Sequence, residues 1–388
     1  MKKFFIIASA ALLALVACNK VENTAQLQKE IRFQVANYVQ TKATGVQYPQ
    51  DSKFGTYAWY TNEENTVTEF IKNEKVGYVN GEWRVLAWTP YWPKTGSVDF
   101  ISYSPWTEDG PSTISGTKLE FLEYKVGEIA NEAYTANGVD LMYADKALKM
   151  TKNVDEVKDN AAEGTTDSGF NGVPTFFHHA LAKLSFKIQA NFLEHTNEAD
   201  ANAGLEESTT TWAITVKSAV LAGIYTQGDL KLTSTATATA WTKPTDNVWT
   251  GLAAPASLEL IDSDVELNAK YKNGELTGDK AKDIAEFGYV IPQKLVEGKQ
   301  TLTLVMDIVT TLPDGTEFTQ PDVTKTVNLS AASSLKKWEM NQNIIYTILV
   351  KPTYGSDPTN PDNPEDDTIT FDPAIADWDV VDAATIQL

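Results

Sequence analysis

Cysteine is almost absent from this 388-residue chain, which has only Cys18. A single thiol cannot form an intrachain disulfide, so stability must come from packing. Histidine is nearly as scarce, at His178, His179 and His195. Adjacent residues on a strand point to opposite faces, so His178 and His179 cannot chelate one ion together, and His195 lies in a polar stretch. The HExxH, GxSxG, P-loop and GxGxxG patterns are missing. The common signatures of zinc proteases, α/β-hydrolases, nucleotide triphosphatases and dinucleotide enzymes go with them. No catalytic residue, metal ligand or cofactor is expected. Arginine occurs only as Arg32 and Arg84, and the formal net charge is −20. Such a surface repels phosphate backbones, which argues against a nucleic-acid partner.

Long apolar runs are also lacking, with one exception at the N-terminus. Lys2 and Lys3 precede Phe4–Ala17, an apolar run of 14 residues, short of the roughly 20 that a spanning helix needs. This is the pattern of a secretory signal over residues 1–17. The run ends Leu15-Val16-Ala17-Cys18, which resembles the lipobox of bacterial lipoproteins. The resemblance implies cleavage before Cys18 and a diacylglycerol-bearing thiol, with palmitate among the attached acyl chains, at the start of the mature chain, with residues 18–29 as its tether.

Amphipathic helices of any length are missing too, and what remains reads as strands. Ile31, Phe33 and Val35 alternate with Arg32 and Gln34, and an exposed loop from Thr41 to Gln50 follows, with Lys42 at its tip. Asn80-Gly81, between Tyr78 and Trp83, predicts a type I′ hairpin. A further strand is expected over Val98–Tyr103, and a short helix within Val139–Lys149. Phe176–Gln189 is the clearest strand, with Ala182, Leu184, Phe186 and Ile188 on one face. It follows a polar run, Asp159–Gly172, and so reads as the opening of a second domain. Later strands alternate around Trp212, Leu230, Leu304, Val327 and Tyr346, with turn pairs at Asn273-Gly274 and Asp314-Gly315. Short strands without helical crossovers predict an all-β protein of antiparallel sandwiches. Residues 30–172 and 173–388 would form the two domains. The second includes a Pro/Asp-rich linker, 353–367, and a terminal segment in which Val380, Ala384, Ile386 and Leu388 share a face. An apolar strand behind such a linker needs a sheet edge to receive it.

Two ligand readings compete with a purely structural one. Trp83, Trp88, Trp92 and Trp106 fall in one aromatic-rich region, and a Trp face can stack on a pyranose, so the alternative is a surface glycan-binding lipoprotein acting as a monomer. Strand propensity and burial select tryptophan without any ligand. The acidic linker invites a calcium assignment, but it lacks the EF-hand glycine and is broken by Pro358, Pro361 and Pro364.

Several marks recur in order along the chain. They are the Cys18 lipobox; a first strand followed by Thr41-Lys42-Ala43; Tyr91-Trp92-Pro93; Asp140-Leu141-Met142 ahead of His179-Ala180-Leu181-Ala182-Lys183; Val290-Ile291-Pro292-Gln293; Trp338, Asn341 and Tyr346; and Trp378 after the linker. In this order they resemble the fimbrillin family of type V pilus subunits. The resemblance implies two transthyretin-like β-sandwich domains, export as an outer-membrane lipoprotein precursor and assembly into cell-surface fimbriae. It also implies a maturation protease that removes the first strand, here Ile31, Phe33 and Val35, by cutting near Lys42. The family's loop carries an arginine at that point, and this chain does not. Val380, Ala384, Ile386 and Leu388 would then be donated to a neighbouring subunit, with a host or bacterial surface ligand as a further partner. Lipidation is tested first: Cys18→Ser should abolish incorporation of labelled palmitate and leave the precursor uncut before residue 18.

Overall fold

The computed structural model describes residues 29–37, 48–130, 133–136, 139–152, 172–190, 209–272, 275–278, 281–311, 315–332, 335–350 and 369–376. Among them are 22 strands. The first eleven are β1 (Phe33–Asn37), β2 (Lys53–Thr61), β3 (Val67–Val79), β4 (Glu82–Val85), β5 (Ser97–Ser104), β6 (Thr113–Ser115), β7 (Lys118–Lys125), β8 (Gly127–Ala130), β9 (Ala133–Ala136), β10 (Met142–Ala144) and β11 (Ala147–Met150). The others are β12 (Val173–His179), β13 (Ala182–Ala190), β14 (Thr209–Thr233), β15 (Thr250–Glu259), β16 (Val265–Lys272), β17 (Glu275–Gly278), β18 (Lys282–Val290), β19 (Thr301–Thr311), β20 (Glu317–Asn328), β21 (Gln342–Val350) and β22 (Ile369–Ala376). The protein is all-β; the helical turns among the described residues are a 3-10 turn at Thr245–Asn247 and a four-residue α-helical turn at Leu329–Ala332. The helix expected within Val139–Lys149 is instead β10 and β11, whose sequence has no 3.6-residue apolar period to favour a helix.

The first sheet runs β10-β12-β1-β4-β3-β2-β5-β11, and β5 also pairs with β10. Met142 faces Ser104 and Tyr143 faces Tyr103 in that second pairing. Seven of the strands therefore close into a ring. Alternation fills its interior, because period-two strands send every second side chain inward. Phe33, Phe54, Val76, Trp83, Phe100, Met142 and Phe177 meet there in one apolar cluster. The predicted hairpin is present: Val79 faces Glu82 across Asn80 (φ 54) and Gly81 (φ 87).

Two further sheets share a second core. One is β18-β13-β21-β22, and the other has ten strands built on β14. Leu184, Phe186 and Ile188 of β13 and Ile344, Tyr346 and Ile348 of β21 join Trp212, Ile214 and Val216 of β14 and Leu304 and Met306 of β19. β14 bends along its 25 residues. Its register shifts between Ala222 and Ile224, around Gly223 at φ +76, where a Cβ would collide with the Lys299 carbonyl. Up to Ala219 it pairs with β16 and β19; from Val220 onward, across the bend, it pairs with β15, and beyond the bend also with β7. Strands from both sides of residue 172 thus meet here, since β6 joins through β7, and β8 joins through β9 to β15.

Phe176–Gln189 is not one strand. β12 ends at His179 in the ring and β13 begins at Ala182 in the four-stranded sheet. The hydrogen bonds of the crossing explain the break. The Ala180 N–H donates to the Leu141 carbonyl at 2.8 Å, and the Ala180 carbonyl accepts from Trp249 Nε1 at 2.9 Å. Ladder partners are replaced by contacts that no local pattern encodes.

Buried Lys146 ties the ring to the ten-stranded sheet. Its ammonium donates to the Gly116 and Thr235 carbonyls, both at 2.8 Å, and burial holds its pKa below the ordinary lysine value. The second core centres on Trp338, fully buried, whose Nε1 donates to the Tyr346 hydroxyl at 2.8 Å. Trp338→Ala should cost about 3–5 kcal/mol in urea unfolding. Tyr346→Phe, which orphans the indole N–H, should cost about 1–3 kcal/mol.

Candidate functional site

The expected first strand lies inside the ring sheet, between β12 and β4. Ile31 and Phe33 are 0% and 3% exposed, and Val35 is half-buried. Burying the first two side chains contributes about 1.5–3 kcal/mol each. The Phe33 ring meets Phe54 at 5.6 Å and Phe100 at 5.9 Å, both edge-on.

The two edges of β1 are held unequally. On one side it runs parallel to β12 from Phe33↔Val173 to Asn37↔Phe177. The Val173 N–H donates to the Arg32 carbonyl at 2.7 Å. Gly172, at φ +133, lies so close to Arg32 that a Cβ there would strike its carbonyl. On the other side only Phe33↔Trp83 joins β1 to β4. The chain then bulges outward through residues 86–89 and returns, with Ile31 N–H donating to the Pro90 carbonyl and Trp92 N–H to the Lys29 carbonyl, both at 2.9 Å.

A cleft of about 350 Å³ opens on this weaker side, lined by residues that include Arg32, Gln34, Val35, Gly81, Glu82 and Trp83. Charges rim it. Arg32 bonds to Glu82, Arg84 reaches Glu82 at 2.5 Å, and Glu30 lies 3.7 Å from both arginines. Such part-exposed pairs contribute little, roughly 0–1 kcal/mol each. Apolar burial and the β12 ladder therefore hold the strand.

Tyr48, expected to be exposed with the rest of Thr41–Gln50, is 2% exposed within the ring. Its hydroxyl lies 2.6 Å from Ser104 Oγ. Its ring centre is 4.9 Å from that of Phe177, 5.3 Å from Trp83 and 6.1 Å from Phe54. Burial pushes the phenol from 10.0 up to about 12. A tyrosine among Gly, Pro and Gln carries no local signal of this role.

Cys18, Lys42, His195, the 353–367 linker, Asn273-Gly274, Asp314, Trp378, Val380, Ala384, Ile386 and Leu388 lie outside the described residues. β22, just before the terminal segment, pairs antiparallel with β21 from Asn343↔Ala376 to Val350↔Ile369. The four tryptophans of the sugar-stacking reading do not share a face. Trp83 and Trp92 are 7% and 4% exposed and belong to the ring's core, whereas Trp88 is 42% exposed. Trp106 is half-buried, with Lys75 Nζ 3.6 Å above its ring. His179 Nδ1 lies 2.5 Å from Asp140, and His178 Nε2 lies 3.1 Å from Asp145, so each histidine faces its own carboxylate. Among the described residues no three His, Cys, Asp or Glu side chains are grouped to hold a metal, and no helix is long and apolar enough to cross a membrane.

The family model described as fimbrillin-like matches residues 41–378. This chain belongs to that family. The match begins after β1 and stops two residues beyond β22. No curated protein matches the chain. Among solved structures, the fimbrillin-like chain is similar to a fimbrial protein from Bacteroides vulgatus, at 15% identity and a TM-score of 0.49, covering 90% of this chain and 99% of that one. It is also similar to the fimbrial anchor protein Mfa2 from Porphyromonas gingivalis, at 10% identity and 0.28, covering 90% and 98%. For the tip fimbrial protein Mfa3 of the same organism, the values are 13% and 0.31, with 84% and 94% covered. Membership rests on the family match rather than on these distant structures.

A phenol with a raised folded pKa stabilises the fold fully below pH 10, and that contribution is lost as pH climbs through the folded value. Tyr57 is also pushed to about 12 by burial. The urea midpoint should therefore hold steady up to about pH 10 and fall toward about pH 12. Tyr48→Phe should lessen the fall by removing one of the titrating groups.

Proposed function

We propose that this chain is a non-catalytic fimbrial subunit, made as a lipoprotein precursor and assembled by strand exchange. The observation that carries the reading is the placement of β1. It is an interior strand of a closed ring, it is paired unequally on its two edges, and residues 38–47, which contain Lys42, follow it directly. A cut in that segment separates Ile31, Phe33 and Val35 from the other six strands of the ring and leaves those six intact.

Loss of β1 would expose the edges of β12 and β4 and the apolar space around Phe33. An extended segment of another subunit then supplies main-chain pairing, and its alternate side chains fill the pockets. Val380, Ala384, Ile386 and Leu388 are that segment. A head-to-tail contact of this type does not close on itself, so the product is an open filament. On this reading Cys18 anchors the precursor to the outer membrane until a maturation protease cuts near Lys42, the partners are other fimbrial subunits, and the ring and the paired sheets correspond to two transthyretin-like domains. The burial of Trp83 and Trp92 removes two of the four tryptophans on which the glycan-binding alternative would stack a sugar.

Limited digestion of a soluble chain starting at Asn19 with a lysine-cutting protease, read by unboiled gels and negative-stain microscopy, tests this. Cleavage confined to residues 38–47 should yield ladders or filaments, and deleting residues 382–388 should abolish them. A chain cut there that stays monomeric at high concentration overturns the reading.

A further inference from the structure

A ring that loses one strand has two fates. β1 runs parallel to β12 and antiparallel to β4, so β12 and β4 are antiparallel to each other and competent to pair directly. If they do, the ring closes at one strand fewer and no groove survives. If something holds them apart, the gap persists. Ring diameter grows with strand number, so the contents of the interior decide which fate is cheaper.

Tyr48 stands behind β1. Its ring contacts Phe177 of β12 at 4.9 Å and Trp83 of β4 at 5.3 Å, one residue from each wall of the gap. The same ring reaches Phe54 of β2 at 6.1 Å, and its hydroxyl lies 2.6 Å from Ser104 Oγ of β5, so it is also braced against the far side. Tyr48 follows residues 38–47, so a cut there releases β1 and leaves Tyr48 in the body of the protein. A six-stranded ring would have to eject this side chain or overpack around it, which is costly in a filled core.

We infer that Tyr48 is a positioning residue that holds β4 and β12 a strand's width apart, so that the ring keeps an open groove for a replacement strand after the first strand is removed. The inference rests on the strand-exchange reading for what fills the groove, but not for whether the groove stays open.

The test uses the chain from Asn19 with one sequence-specific protease site placed within residues 38–47. It is cut, stripped of its first strand in mild denaturant and returned to buffer. Two synthetic peptides serve as probes: residues 29–37, the strand's own sequence, and residues 377–388. The cut protein should rebind the 29–37 peptide. Tyr48→Phe keeps the ring and should weaken rebinding by no more than about fivefold. Tyr48→Leu and Tyr48→Ala lose both wall contacts and should weaken it by about tenfold or more. Uncut variants should keep their far-UV signal, because β1 itself still separates the walls. Equal rebinding by all three variants overturns the inference. Hydrogen exchange of the cut, unsubstituted protein tests it without substitution: amides of residues 82–85 and 173–177 that face the gap should exchange fast, and protection there, meaning that the walls have paired, overturns it. Rebinding of 29–37 without binding of 377–388 refutes strand exchange and leaves the role of Tyr48 standing. Binding of both peptides by Tyr48→Ala does the reverse.

Discussion

A strand inside a sheet must have its peptide N–H and C=O groups paired on both edges, because a buried polar group left without a partner costs about as much as a lost hydrogen bond. The seven-stranded ring meets that requirement through β1, the only strand standing between β4 and β12. The rest of the ring follows from it. Phe33 enters a core already occupied by Phe54 and Phe100, and Gly172 gives up its side chain so that β12 can approach Arg32.

The same strand is unevenly fastened. Its ladder with β12 is continuous, whereas β4 contributes one residue pair and then bulges away. The charges along the open side are paired with one another and part-exposed, so they bind the strand weakly. A strand that is necessary for closure, buried by a few large side chains and poorly laddered on one edge is suited to being replaced by another of similar alternation.

Among the described residues, the central strands of the other core are more evenly held. β13 is paired along its length with β21, and β14 serves four neighbours by bending at Gly223. Lys146, donating from the β10–β11 connection to carbonyls of the β6–β7 turn and the end of β14, joins the two parts of the molecule with a charge that burial makes costly to leave unpaired.

Much of the architecture was legible because it is local. Side-chain alternation in Ile31-Arg32-Phe33-Gln34-Val35 and in β13, β19 and β21 identified strands and their buried faces, since a period of two is a property of the extended backbone itself. Asn80-Gly81 specified its hairpin because those residues tolerate positive φ. The scarcity of cysteine and histidine and the missing catalytic patterns were equally plain. Long-range pairing was not legible. The chain changes sheets at Ala180 because Leu141 and Trp249 take its backbone partners. Trp83 and Trp92 turn inward while Trp88 does not, and Tyr48 reaches the core from what looked like a loop. None of these has a periodic signature, because each depends on which residues from other strands arrive beside it, as Leu141 and Trp249 do at Ala180 and Phe177 does at Tyr48. By itself the sequence determined many of the strands and their buried faces. Only the tertiary structure decided which strand closes the ring and which side chain stands behind it, because hydrogen-bond partners and core contacts are chosen between segments rather than within them.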